Sequence, residues 1–133
     1  GAKVSRSFFS PETAACFQSA GFVEVRPSPR GLKAVRGHCE VHLSRDPTRG
    51  TWDLEIPVVR LSSRRPLSPE AASYLEDRNK SGKVRGAFAA DGGFIWYRVC
   101  AESDASPASL ARLAAEMQET VERLGPKILN LLK

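Results

Sequence analysis

Apolar and polar positions along the chain repeat with two different periods, and each change of period marks a border between a helix and a strand. Ser10-Pro11 predicts the start of a short helix over residues 11–20, because serine caps a first turn and proline fits its first position. Gly21 ends this helix, and residues 22–25 are strand-like. The chain therefore begins with a helix that leads into a strand.

Two further strands are indicated by a period of two. From residue 32 to residue 43 apolar and polar side chains alternate, which predicts one long strand with a buried and a solvent-facing side. After a turn at residues 46–50, residues 52–58 alternate in the same way. Pro57 lacks a backbone N–H, so we expect this strand to be at an edge, or to bulge, at that position.

Serine followed by proline occurs three more times, at Ser28-Pro29 within the turn of residues 27–31 and as a helix-start signal at two later positions. Ser68-Pro69 predicts a second helix over residues 71–79, which Gly82 terminates. Ser106-Pro107 predicts the start of a long C-terminal helix with a single apolar stripe. Gly125-Pro126 lies within that stripe and predicts a kink or a break.

A β-hairpin is predicted between the second and third helices. Two apolar runs, residues 83–90 and 93–101, flank the turn residues Asp91-Gly92-Gly93. The element order is then helix, three strands, helix, two strands, helix. Helices segregated beside an antiparallel sheet make an α+β fold, and we expect residues 1–133 to form one domain.

The composition, with 41% hydrophobic and 26% charged residues, is typical of a globular protein. No apolar run approaches the roughly 18 residues that cross a bilayer, and residues 1–13 lack the apolar stretch of a secretory signal. Cys16, Cys39 and Cys100 have no close spacing, which predicts buried thiols rather than disulfides or a metal site. We expect a cytoplasmic protein without a membrane segment.

Two patterns resemble ligand sites but lack the spacing that such sites need. Ser81-Gly82-Lys83 follows a helix and leads into a strand, whereas a Walker phosphate loop needs two spaced glycines and opens a helix. His38 and His42 on one strand would lie roughly 13 Å apart, too far to bind one metal ion. We therefore expect no catalytic residue, no metal site and no cofactor, and hence a protein that is not an enzyme.

The predicted hairpin has an unusual second face. A two-residue turn at Asp91-Gly92, or at Gly92-Gly93 with the same parity, places Phe88, Ile95 and Tyr97 on one apolar face. The other face carries aromatic and basic residues among alanines, a composition typical of protein interfaces. A helix of the same chain covering this face is the alternative. The candidate residues for contact with a dimer partner or a client are Arg85, Phe94, Trp96 and Arg98.

The net charge of +5 is concentrated in residues 1–65, which hold 11 basic and 6 acidic residues. A basic region with accessible tryptophan rings is a possible surface for single-stranded DNA or RNA. Its arginines are scattered, with Arg64-Arg65 the only cluster, so an ordinary solvated surface is the competing interpretation. The candidate nucleic-acid-binding residues are Arg36, Arg60, Arg64, Arg65 and Trp52.

Residues 70–132 carry a recognisable succession of features: an Asn near a helix end, a Gly before a strand, an Asp-Gly hairpin, an aromatic-Arg pair and a Ser that opens a helix. These features are Asn79, Gly82, Asp91-Gly92, Tyr97-Arg98 and Ser106. In this succession the chain resembles the YbjN-like proteins. The resemblance implies the fold of class I type III secretion chaperones, helix-strand-strand-strand-helix-strand-strand-helix, which is the element order predicted above.

The resemblance also implies a small dimeric module that binds proteins without catalysis. Together with the hairpin face, it predicts a chaperone-like or adaptor protein that forms a homodimer and binds a segment of a client protein. A nucleic-acid-associated accessory protein is the alternative.

Overall fold

The described residues of the computed structural model, 9–62, 67–82 and 84–132, form three helices and one six-stranded antiparallel sheet. The strand order in the sheet is β1-β2-β3-β4-β6-β5. The predicted α+β fold class is therefore confirmed. No helix in these ranges is long and apolar enough to cross a membrane. Along the chain the elements are α1 (Pro11–Ser19), β1 (Val23–Ser28), β2 (Gly31–Arg36), β3 (Cys39–Arg45), β4 (Trp52–Arg60), α2 (Pro69–Lys80), β5 (Ala87–Asp91), β6 (Phe94–Ala101) and α3 (Pro107–Leu131).

All three helices begin at the predicted serine caps. The side-chain oxygens of Ser10, Ser68 and Ser106 each accept a hydrogen bond from the backbone N–H three residues later, at 3.1, 3.2 and 3.1 Å. A proline follows each serine at the first helical position. Each cap satisfies a backbone donor that has no partner within its helix, which is why this local signal predicts helix starts well.

The predicted single strand over residues 32–43 is wrong, because the chain reverses within it. β2 and β3 pair as a hairpin with Arg36 opposite Cys39, and Gly37-His38 forms the turn, with Gly37 at φ +61°. Because the turn has two residues, the buried positions are even-numbered in β2 and odd-numbered in β3. Val35, an apolar residue at an odd position of β2, makes the odd series look continuous and hides the change. His38 consequently lies in an exposed turn, and it does not share a strand with His42.

Pro57 lies in β4 between β3 and β6, but the pairing of β4 with β3 ends at Glu55, so at Pro57 the strand is paired with β6 alone and forms a local edge, as the first alternative predicted. The register between β4 and β6 shifts between Pro57 and Val59, so the alternative of a bulge is confirmed. The predicted break at Gly125-Pro126 is not found, since α3 runs without interruption to Leu131. Ile128, which is 1% exposed, anchors the last turns of α3 in the core and compensates for the proline.

The core lies between one face of the sheet and the helices. α3 packs across β3, β4 and β6, α1 packs against α3 and β1, and α2 covers β5. Along most of β3, β4 and β6, buried residues on this side alternate with half-buried residues on the other side. The buried members from the strands are Leu32, Ala34, Cys39, Val41, Leu43, Trp52, Leu54, Ile56, Phe88, Ile95, Tyr97 and Val99.

Glu122 of α3 holds the β2–β3 turn against the helix. Its carboxylate accepts hydrogen bonds from the backbone N–H of His38 and from the Gln118 side chain, both at 3.0 Å. The hydrogen bond from His38 is the main reason why the pKa of Glu122 lies below its ordinary value of 4.5. A carboxyl group whose pKa is lowered by folding stabilises the fold above its unfolded pKa and loses that effect as the pH falls through the folded value.

We therefore expect Glu122→Gln to lower the free energy of unfolding at about pH 7, with the gap to wild type narrowing as the pH falls below 4.5, the ordinary pKa of a glutamate, and through the lowered pKa of the folded state. Urea denaturation at about pH 7 and at a series of pH values below 4.5 measures this gap. Glu116→Gln, at an exposed position of the same helix, is the control. A gap that stays equal across this pH range would show that the Glu122 charge does not stabilise the turn.

Candidate functional site

The side of the sheet that faces away from the helices is the candidate site, and we call it the open face. One cross-strand row runs from Arg26 of β1 through His42 and Glu55 to Arg98 of β6 and Ala87 of β5. No helix of the described ranges lies over this row, and its side chains remain partly exposed. The described helices therefore leave uncovered the hairpin face that carries Phe94 and Trp96.

Trp96 lies at the centre of an aromatic cluster on the open face. Its ring meets His42 edge-on at 5.6 Å between centroids and contacts Phe94 at 5.8 Å. The indole N–H donates to the backbone oxygen of Asp91 at 3.0 Å, and Ala89 lies directly across from Trp96 on β5. These contacts hold the ring in one position, which lowers the entropy cost of binding a partner.

Arg98 links the aromatic cluster to two carboxylates. Its Nε donates to Glu55 Oε2 at 2.5 Å and its Nη2 donates to Asp91 Oδ2 at 3.0 Å. The guanidinium carbon lies 5.9 Å from the centroid of the Trp96 ring. The hydrogen bond to Asp91 is the largest cause of the raised pKa of Arg98. Arg98 is thus a fixed charge, already paired within its own chain.

Glu40 forms a second charged group on the neighbouring strands. Its carboxylate accepts from Arg26 Nη2 and lies 2.9 Å from His42 Nε2. Partial burial raises the pKa of Glu40. The hydrogen bonds with Arg26 and His42 lower the pKa, and together with the charges of these two residues they outweigh the effect of burial, so the pKa lies below its ordinary value of 4.5. Because His42 also touches Trp96, the charged group and the aromatic cluster are continuous across the sheet.

The charges of the open face balance. Among cross-strand paired positions, four basic and four acidic residues face this side, whereas the whole chain carries +5. A surface that binds phosphates concentrates cations instead. The basic residues are Arg26, Lys33, Arg60 and Arg98, and the acidic residues are Glu40, Asp53, Glu55 and Asp91.

Three of the four residues predicted for protein contact meet on the open face, and Arg85 does not. The predicted apolar face of the hairpin is confirmed, and its turn lies at Gly92-Gly93, the second of the two positions considered. β5 begins at Ala87 rather than at residue 83, so Arg85 lies outside the strand, and Lys83 lies outside the described residues. The Arg85 carbonyl accepts a hydrogen bond from the buried Tyr97 hydroxyl.

A cavity of about 440 Å³ indents the open face where β5 begins. Asp53, Glu55 and Arg98 supply its polar lining, and Cys100 reaches it from β6. Arg85 instead borders a different cleft, beside Ser109 at the start of α3. The cavity is therefore a polar continuation of the open face.

The residues predicted for nucleic-acid binding are not brought together. Trp52 is 8% exposed, and the Arg45 guanidinium lies 4.6 Å from its ring centroid, so Trp52 is a core residue and not an open stacking surface. Arg36 donates to the Ala20 carbonyl at 3.0 Å and pairs with residues of α3. Arg60 is exposed on the open face, while Arg64 and Arg65 lie outside the described residues.

The cysteines differ in their surroundings, and the prediction of three buried thiols is wrong in part. Cys39 is buried, and desolvation together with the nearby Glu122 carboxylate raises its pKa to about 11, so the thiol stays protonated. Cys16 is half-buried, and Cys100 is exposed because it belongs to the open-face positions of β6. Within the described ranges, His, Cys, Asp and Glu form no cluster of three suited to a metal ion.

Asn79 supports the site in a role that the sequence pattern did not indicate. Its side-chain amide donates to the Phe88 carbonyl at 3.0 Å and its oxygen accepts from the Phe88 N–H at 2.8 Å. The side chain thus pairs with the outer edge of β5 as a neighbouring strand would. The available signal was an amide side chain at a helix end shortly before an edge strand.

No protein-family model matches the chain, and no curated protein is significantly similar to it. The resemblance to the YbjN-like proteins therefore stays a prediction, and the geometry of the open face is what bears on function.

Proposed function

We propose that this chain is a non-enzymatic protein-binding module, a chaperone-like or adaptor protein that forms a homodimer and binds a segment of a client protein. The observation that supports this proposal is the rigid aromatic and charged cluster around Trp96 on a sheet face that no described helix covers. The open face is the proposed protein-contact surface.

The chemistry of the open face supports protein contact. A solvent-facing side of an antiparallel sheet normally alternates polar residues with the buried apolar ones. Here Phe94, Trp96, Pro57 and Ala89 supply apolar surface to that side. Trp and Arg are the side chains most enriched at energetically important interface positions, and they occur together here as Trp96 and Arg98.

The alternative of nucleic-acid binding has weaker support in the structure. Trp52 is buried, and the open face is neutral overall, so neither feature needed for binding a single strand is present at these residues. Binding of single-stranded DNA that falls steeply with added salt would favour this alternative over the proposed function, because phosphate contacts release counterions.

We expect Trp96→Ala to remain folded by circular dichroism and to lose the proteins that the wild-type chain captures from its native host extract. The physical reason is the loss of a large aromatic anchor, which costs more than about 2 kcal/mol at an interface hot spot. Tyr74→Ala is the control, because Tyr74 is a half-buried aromatic residue of α2 away from the open face.

If wild type, Trp96→Ala and Tyr74→Ala all capture the same proteins, the result contradicts the proposed contact surface. If Trp96→Ala unfolds, Phe94→Ala provides the test, because it removes a neighbouring ring of the same cluster and leaves the Trp96 hydrogen bond in place.

A further inference from the structure

We infer that the open face binds the open face of a second copy of this chain, so that two sheets pack against each other around a twofold axis. The inference rests on the proposed function, since it names the second copy of the proposed homodimer as the partner that covers the open face, where a client segment then competes with it. In such an isologous interface the same patch lies on both sides and has to be complementary to itself.

The balanced charge of the open face favours a second copy over other occupants. Copies of a chain with a net charge of +5 repel each other, and a neutral contact surface adds no further repulsion where they meet. On this face Lys33 of β2 and Asp53 of β4 carry opposite charges on the two strands that flank β3. A twofold axis along β3 can therefore bring each of them near its opposite charge in the second copy.

The internal pairing of the charges makes the face suitable for burial. An unpaired charge that loses water at an interface costs several kcal/mol, whereas a paired and hydrogen-bonded charge costs much less. Arg98 already binds both Glu55 and Asp91, and Glu40 already binds Arg26 and His42. A partner can cover these groups without supplying counter-charges of its own.

The dimensions of the face also match a second sheet better than a single peptide segment. Six strands spaced about 4.8 Å apart, each about 20 Å long, give a surface of roughly 600 Å², close to the roughly 800 Å² per partner of a standard protein interface. An extended segment would cover only a strip of this surface. Stacked sheets about 10 Å apart leave room for Trp96 and Arg98 to interdigitate with their counterparts.

The test places a charge of either sign at Ala89, a small residue directly across from Trp96. We expect wild type to have the mass of a dimer by sedimentation equilibrium, and both Ala89→Glu and Ala89→Lys to weaken the dimer by about tenfold or more, because each substitution brings an uncompensated charge into the interface. Ala72→Glu and Ala72→Lys, at an exposed position of α2, are the matched controls and should dissociate as wild type does. Trp96→Ala, with its fold checked by circular dichroism, is an independent second variant.

A monomeric wild type at the highest concentration measured would overturn the inference, and so would a wild-type dimer that the Ala89 and Trp96 variants leave unchanged. Failure of the inference and failure of the proposed function are distinguishable. If wild type is a monomer and Trp96→Ala no longer captures the proteins that wild type captures, only the twofold pairing is overturned. A dimer that the Ala89 and Trp96 substitutions dissociate without any change in the captured proteins supports the pairing and contradicts client binding through this face.

Discussion

Gly86→Ala is expected to destabilise the protein by roughly 2–4 kcal/mol, the range of substitutions that combine backbone strain with a clash in a packed region. Gly86 has a φ of +81°, which a residue with a Cβ rarely adopts. A Cβ at this position would lie 2.2 Å from the carbonyl oxygen of Arg98 and 2.7 Å from Cγ2 of Val99. Backbone would have to move, and with it the start of β5 beside the polar cavity of the open face.

Gly82→Ala is the matched control for Gly86→Ala. Gly82 has a similar φ of +72°, but a Cβ there would meet no atom within 4 Å. Its substitution should cost only the backbone penalty of about 1 kcal/mol. Chemical denaturation of both variants measures the difference, and equal losses would show that the close approach of Gly86 to β6 is not a constraint.

Asn79→Ala is expected to destabilise the protein by roughly 2–3 kcal/mol, because it leaves two backbone groups of Phe88 without their partner. Both groups lie at the outer edge of β5, where the Asn79 side chain takes the place of a further strand. Phe88 stacks on Tyr97 at 4.7 Å between ring centroids, so loosening β5 also disturbs the core beneath the hairpin.

Hydrogen exchange of the Phe88 amide provides a direct readout of this role. We expect exchange to accelerate in Asn79→Ala beyond the change that the lower global stability explains. Asn130→Ala, at an exposed position of α3, removes the same side chain without such a contact and should be close to neutral. Unchanged protection of Phe88 in Asn79→Ala would exclude the proposed role of Asn79 at the edge of β5.

The open face shows where the sequence pattern succeeded and where it stopped. Alternation in the hairpin correctly separated the side of Ile95 and Tyr97 from the side of Phe94 and Trp96, because side chains of a strand alternate between faces wherever the turn preserves parity. Alternation failed at Gly37-His38, since a turn of two residues inside an apolar series leaves only a change from even to odd positions.

The sequence by itself determined the features that depend on neighbours within a few residues: the serine caps of the three helices, the glycine turn of the β5–β6 hairpin and the α+β class. Only the tertiary structure decided which residues meet across the sheet. β4 and β6 are neighbours although α2 and β5 lie between them in the chain, and this brings His42 to Trp96 and Glu55 to Arg98. The same long-range pairing buried Trp52 and left Trp96 uncovered by the described helices. Periodicity specifies which side of a strand is apolar, but it contains no information about which strand or helix will lie beside it.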